Sequence, residues 1–169
     1  MKKTVLFLIV FACFSCEKPV SKEWGKLYGY TNDDIVGRYV NSGVADAFAG
    51  LAEGNECHLC PNAQVRISAN SGESVSFHIL CPDHNGFEKT LSGRPALGGN
   101  AFLISLYGSM ANLKRYGVSA TVLKNAENKV RLEGFVAEDH FERQYNTATQ
   151  TYDTLLSHSV KYYFDVVKE

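Results

Sequence analysis

Residues 56–84 read ECHLCPNAQVRISANSGESVSFHILCPDH, and their pattern decides the fold class. Val65 and Ile67 alternate with polar neighbours, Asn70-Ser71-Gly72-Glu73 supplies turn chemistry, and Val75, Phe77, Ile79 and Cys81 alternate again. A period of two on both sides of a glycine turn predicts paired antiparallel strands. With the turn centred near Ser71 and Gly72, facing residues have numbers that sum to about 143, which sets Cys81 opposite the Cys60 to Asn62 region. The internal cysteines and two histidines, His58 and His84, are thereby gathered at the open end of one hairpin.

Working outward, Phe87–Ser92 alternates weakly, Gly93–Asn100 (GRPALGGN) reads as a loop, and Ala101–Tyr107 as a strongly apolar strand. Gly108–Arg115 reads as a loop or a single helical turn. Tyr116–Leu123 and Lys129–Val136 flank the turn Asn125-Ala126-Glu127-Asn128 and make a second hairpin. Residues 137–157 are polar and threonine-rich, and are expected to form a long irregular connection. His158–Val167 is the last strand, with Val160, Tyr162, Phe164 and Val166 inward and Lys161, Tyr163 and Asp165 outward. Upstream, Asp34–Asn41 reads as the first strand. Ser42 then caps a short helix over Val44–Glu53, whose Val44, Phe48 and Leu51 share a face and which Gly54-Asn55 ends.

The expectation is an all-β domain over residues 34–169: an antiparallel up-and-down meander of about eight strands, with one short helix after the first strand. Such a meander removes its edges by closing into a barrel, and a two-sheet β-sandwich is the alternative that the same strand count permits. Gly37-Arg38-Tyr39 on the first strand resembles a relaxed lipocalin Gly-x-Trp signature, with tyrosine in the tryptophan place. The resemblance implies a lipocalin-like barrel in which a basic residue of the last strand, Lys161, packs over that ring.

The chain opens MKKTVLFLIVFACFSC, with two lysines, an apolar run from Val5 to Phe14, and Ser15 before Cys16. A basic start followed by so short an apolar run is a secretory signal and is too short to span a membrane as a helix. The pattern resembles a bacterial lipoprotein signal peptide, and its Ser-Cys-Glu-Lys ending is similar to exported lipoproteins of the Bacteroidota. Cys13 and Phe14 depart from the usual leucine and small residue of the lipobox. The resemblance implies a signal peptide over 1–15, palmitate-type lipidation of Cys16, and, since Glu17 is not the aspartate of inner-membrane retention, anchoring at the outer membrane. Residues 16–33 carry charges, Pro19 and two glycines, and read as a tether of ~50 Å at full extension. Trp24, Tyr28 and Tyr30 are many aromatics for a spacer, so its second half is expected to pack along the domain.

The formal net charge is −1, with no arginine cluster, lysine run or aromatic-basic interleaving, which argues against nucleic acid as a partner. An exported chain matures where thiols are oxidised, so a disulfide from Cys81 to Cys57 or Cys60 is expected. The alternative is zinc held by Cys57, Cys60, Cys81 and His84, because tetrahedral zinc takes such a donor set. A redox-active Cys-x-x-Cys sits at a helix N-terminus, whereas this one precedes a strand. Asp139-His140 with Glu142 lies in no nucleophile context, and no Gly-x-Ser-x-Gly or phosphate-binding glycine loop occurs. No cofactor and no enzymatic activity are therefore expected. The functional expectation is a membrane-anchored envelope module that binds a small apolar ligand, lined by Phe77, Phe102, Tyr162 and Phe164, or a partner protein. A structural or interaction lipoprotein whose interior is filled by those rings is the alternative.

Overall fold

The computed structural model describes residues 24–44, 46–95, 99–106 and 113–169. Along the chain these form β1 (Gly25–Lys26), α1 (Asn32–Ile35), β2 (Gly37–Asn41), β3 (Cys57–Leu59), β4 (Gln64–Ala69) and β5 (Val75–Cys81). There follow β6 (Phe87–Gly93), β7 (Ala101–Leu106), β8 (Lys114–Lys124), β9 (Val130–Asn146) and β10 (Thr151–Lys168). The stretch read as a signal peptide, residues 1–15, and Cys16 lie outside the described residues.

The deciding hairpin is β4–β5, in the register Val65↔Ile79 and Ile67↔Phe77. All strands join one sheet in the order β1-β8-β9-β10-β2-β4-β5-β6, with β7 beside β1 on one edge of β8 and β3 beside β2 on one edge of β10. Every pairing is antiparallel except the short β3–β10 contact. Setting aside β1 and β3, neighbours follow chain order, and β10 returns to pair with β2 through Val166↔Asn41. The meander of eight strands is thus as expected, and it is a single sheet rather than a sandwich.

The barrel does not close. Among the described residues no ladder joins β6 to β7, although Gly93 of β6 comes so near β7 that a Cβ there would stand 2.9 Å from Ile104 Cγ2. Pro95, just beyond Gly93, has no N–H with which to extend a ladder. Inside the curled sheet, Val75, Phe77, Ile79 and Cys81 are fully buried, as are Tyr39, Phe102, Leu132, Phe164 and Val166. The Phe77 ring centroid lies 5.7 Å from that of Phe102 and 5.8 Å from that of Phe164. Three aromatic rings from β5, β7 and β10 therefore fill the interior. Gly134 lets β8 and β9 approach, because a Cβ there would lie 2.1 Å from the Ser119 carbonyl oxygen.

Three local expectations are corrected. Among the described residues of 44–53 there is no helix: the Ala47, Ala49 and Leu51 N–H groups bond to the carbonyls three residues back, as turns. So short a helix needs a buried face, and Leu51 remains exposed. The helical turn instead precedes the first long strand, where the Thr31 N–H donates to Asp34 Oδ2 at 2.7 Å. The supposed irregular connection over 137–157 is a continuation of β9 and β10, paired from Arg131↔Val167 out to Asn146↔Thr151, with a bulge between Leu156 and His158. Thr151, Thr154, Tyr145 and Tyr152 are strand formers, and this β propensity outweighs the polarity of the stretch. Finally, Lys161 does not cover Tyr39: its Nζ lies over Phe135 at 5.1 Å, while Tyr39 is buried and its hydroxyl donates to the Ile35 carbonyl. Lys168 takes the place beside the first strand, its stem 2.6 Å from where a Gly37 Cβ would stand.

Within the segment read as a tether, residues 24–33 lie against the sheet. β1 pairs with β8, and buried Tyr30 donates to the Ala101 carbonyl at 2.8 Å, its pKa pushed up to about 12 by burial. No helix among the described residues is long and apolar enough to cross a membrane.

Candidate functional site

The open end of the hairpin gathers the residues with the most chemistry. β5 delivers Cys81 at its last position, and β3 delivers Cys60 just past its end, where the Cys60 N–H donates to the Tyr163 carbonyl at 2.9 Å. The two cysteines form a buried disulfide with Cα atoms 5.5 Å apart. Of the two candidates for Cys81, Cys60 is thus the partner and Cys57 keeps a free thiol. The bridge closes a loop of about 20 residues, which contributes on the order of 3 kcal/mol. A second tie runs alongside, since Asn62 donates from its backbone and its side chain to the Asp83 carboxylate at 3.0 and 2.8 Å.

Zinc held by Cys57, Cys60, Cys81 and His84 is ruled out by this pairing. The sulfurs of Cys60 and Cys81 are bonded to each other, and Cys57 alternates with His58 on β3 and so points to the opposite face. The strand instead presents His58 to His84, with ring centroids 4.5 Å apart. Glu53 reaches in from the turn region: its Oε1 lies 2.9 Å from His58 Nδ1 and 3.6 Å from His84 Nε2, and its Oε2 accepts the Leu59 N–H at 2.7 Å. The hydrogen bond from His58, then that from Leu59, holds the Glu53 carboxyl below the usual carboxylate range. His84 Nε2 also lies 2.7 Å from the Leu59 carbonyl oxygen. Tyr162 closes the group, stacked on Phe87 at 3.6 Å and packed against His58 at 5.1 Å.

Comparison with known proteins adds no relative to this picture. No family model, curated protein or solved structure matches the chain.

The four aromatic candidates divide. Phe77, Phe102 and Phe164 pack on one another in the core, and only Tyr162 stands at the rim. Of two clefts of about 250 and 330 Å³, the first is lined by Phe48, Leu51, Tyr163 and Phe164 among others, the second by Leu103, Phe135 and Ala137. Neither reaches Phe77 or Phe102.

Two further groups lie on β8–β10. Asp165, expected to face solvent, is buried and bonded bidentately to Arg131, whose guanidinium lies 5.7 Å from the Trp24 ring centroid. Burial opposes the Arg131 charge, but the hydrogen bonds it donates to Asp165 and the charge of that carboxylate outweigh it and raise the pKa. The Asp139-His140-Glu142 group comes apart on the strand. Asp139 pairs with Arg115 and accepts from Ser159, His140 lies 3.0 Å from Glu138 and stacks on His158, and Glu142 accepts from Ser157.

Glu53 is the functional candidate that sequence reasoning missed. It lies in a stretch read as helix, and no periodicity links it to a histidine that follows a loop. His58 was visible only as the middle of a Cys-x-x-Cys, although alternation of side chains along β3 separates it from Cys57.

Proposed function

We propose that this protein is an exported, lipid-anchored envelope module that works by binding a partner protein, with the filled sheet as scaffold and the outer end of β9–β10 as the contact surface. The observation that carries this reading is the exposed state of that ribbon. From Glu142 to Asn146 and from Thr151 to His158, the two strands have no third neighbour among the described residues. They present Tyr145, Tyr152, Leu155 and Leu156, each about half exposed or more. An isolated two-stranded ribbon is marginal in water, and aromatic-rich exposed apolar patches are typical of contact surfaces. A small apolar ligand is the less favoured reading, because the rings proposed to hold it pack against one another. Export and lipid anchoring rest on Lys2, Lys3, the apolar run 5–14 and Cys16, and the choice of the outer membrane rests on Glu17 through the lipoprotein resemblance.

Site-specific photo-crosslinking in the native cell envelope tests this, with the probe at Tyr152 or, as control, at Glu127 on the opposite turn. A discrete protein adduct from Tyr152 and not from Glu127 is expected. Equal or absent adducts at both positions remove the ribbon as the working surface. Fatty-acid labelling that persists in Cys16→Ala would remove the anchor.

A further inference from the structure

We infer that Glu53, His58 and His84 form a divalent-cation site suited to zinc. Two imidazoles and a carboxylate are donors that zinc takes, and three protein ligands leave a fourth position for water or an incoming group. The spacing is close to what the metal needs. Zinc bonds of about 2.0–2.1 Å in tetrahedral geometry place donors roughly 3.3 Å apart. Here Glu53 Oε1 stands 2.9 Å from His58 Nδ1 and 3.6 Å from His84 Nε2, and one donor atom from each of the three residues lies within 4.8 Å of the other two.

The site is built as well as spaced. His58 and His84 lie on segments that the Cys60–Cys81 bridge joins, and the Asn62–Asp83 bonds hold the same two segments. The Leu59 N–H fixes Glu53 Oε2, which turns Oε1 toward the histidines. Both rings are partly accessible, with about a quarter of each side chain exposed, so an ion can enter without opening the fold. Binding needs only a shift of ring protons. Where His58 donates from Nδ1 to Glu53, its proton moves to Nε2. Where His84 donates from Nε2 to Leu59, its proton moves to Nδ1. Each ring stays neutral, and two hydrogen bonds are exchanged for three coordinate bonds, one from each imidazole and one from the carboxylate.

The competing account is a hydrogen-bonded histidine cluster that holds no metal. Zinc titration of the full chain, with its disulfide intact, separates the two. One equivalent is expected to bind, with an X-ray absorption spectrum showing nitrogen and oxygen neighbours and no sulfur. Glu53→Gln, His58→Gln and His84→Gln are each expected to weaken binding at least tenfold, on the order of the loss from disturbing a ligand's support, while Cys57→Ser leaves it unchanged. Should a histidine variant misfold, protection of both histidines from diethyl pyrocarbonate by zinc reads the same contact in the unaltered chain. Absent saturable binding, sulfur in the first shell, binding that survives loss of both histidines, or no protection overturns the proposal.

Discussion

The two ends of the β9–β10 ribbon share one ladder and almost nothing else. Near the chain terminus the ribbon lies between β8 and β2, where Val136, Phe164 and Val166 are buried. Beyond His140 and His158 it continues with the same antiparallel pairing, yet Tyr152 is 67% exposed and Leu156 is 55% exposed. Backbone pairing alone therefore does not distinguish the buried base from the exposed tip. What differs is lateral company: flanking strands turn alternation into a core, and without them the same residue types remain in water.

The sharpest way to break this comparison is to remove one carboxylate from each end. Asp165→Ala strips a buried Arg131 of its bidentate partner and leaves it only the exposed Glu133 at 3.8 Å, and breaking such a buried pair is expected to cost about 3–5 kcal/mol in urea denaturation. Asp153→Ala, which removes an exposed bond to Asn146 at the tip, is expected to stay within about 0.5 kcal/mol. Equal effects would mean that the tip is as structural as the base. Next in size is the bridge that ties the end of β3 to the end of β5. Cys60→Ser with Cys81→Ser should lower stability by about 3 kcal/mol and also abolish zinc binding, because both histidine segments lose their tie.

The base of the ribbon was legible in the sequence and its tip was not, for the same physical reason. Val130, Leu132, Phe164 and Val166 alternate against polar neighbours because one face is buried, so periodicity exposes them. The tip has no buried face to impose a period. Only its threonines and tyrosines marked it as strand. Asp165 shows the converse: it sits on the polar face by alternation, and its burial depends on Trp24 and Arg131, which come from distant parts of the chain. The hairpin register placed Cys81 near Cys60, but whether Cys57 or Cys60 would pair turned on the β3–β10 contact. That contact is parallel and short, and it has no local signal. Glu53 joins the histidines through loop closure, which leaves no pattern to read.

Smaller effects sharpen the comparison at the tip itself. Tyr152→Ser combined with Leu155→Ser breaks the Tyr145–Tyr152 ring contact at 5.2 Å and is expected to cost no more than about 1 kcal/mol, the range of one cross-strand pair. If the tip is a contact surface, the same variant should lose the photo-crosslinked partner while keeping its unfolding midpoint nearly unchanged. A large fall in stability would place the tip in the fold.

The smallest expected effect lies at the junction between the two ends, where Lys114 donates to Glu138 at 2.6 Å. Burial raises the Glu138 pKa, but the hydrogen bond and charge of Lys114 outweigh it, and the folded value lies below the ordinary one. A carboxyl depressed by folding binds its proton more readily in the unfolded chain. Its contribution is therefore complete above the unfolded pKa and disappears as pH falls through the folded value. Stability measured from neutral pH into the acid range should decline less steeply in Glu138→Gln than in the unaltered chain. An unchanged slope in Glu138→Gln would mean that the Lys114–Glu138 pair lends the junction no electrostatic support, and the boundary between the scaffold and the proposed contact surface would then have to be drawn from packing alone.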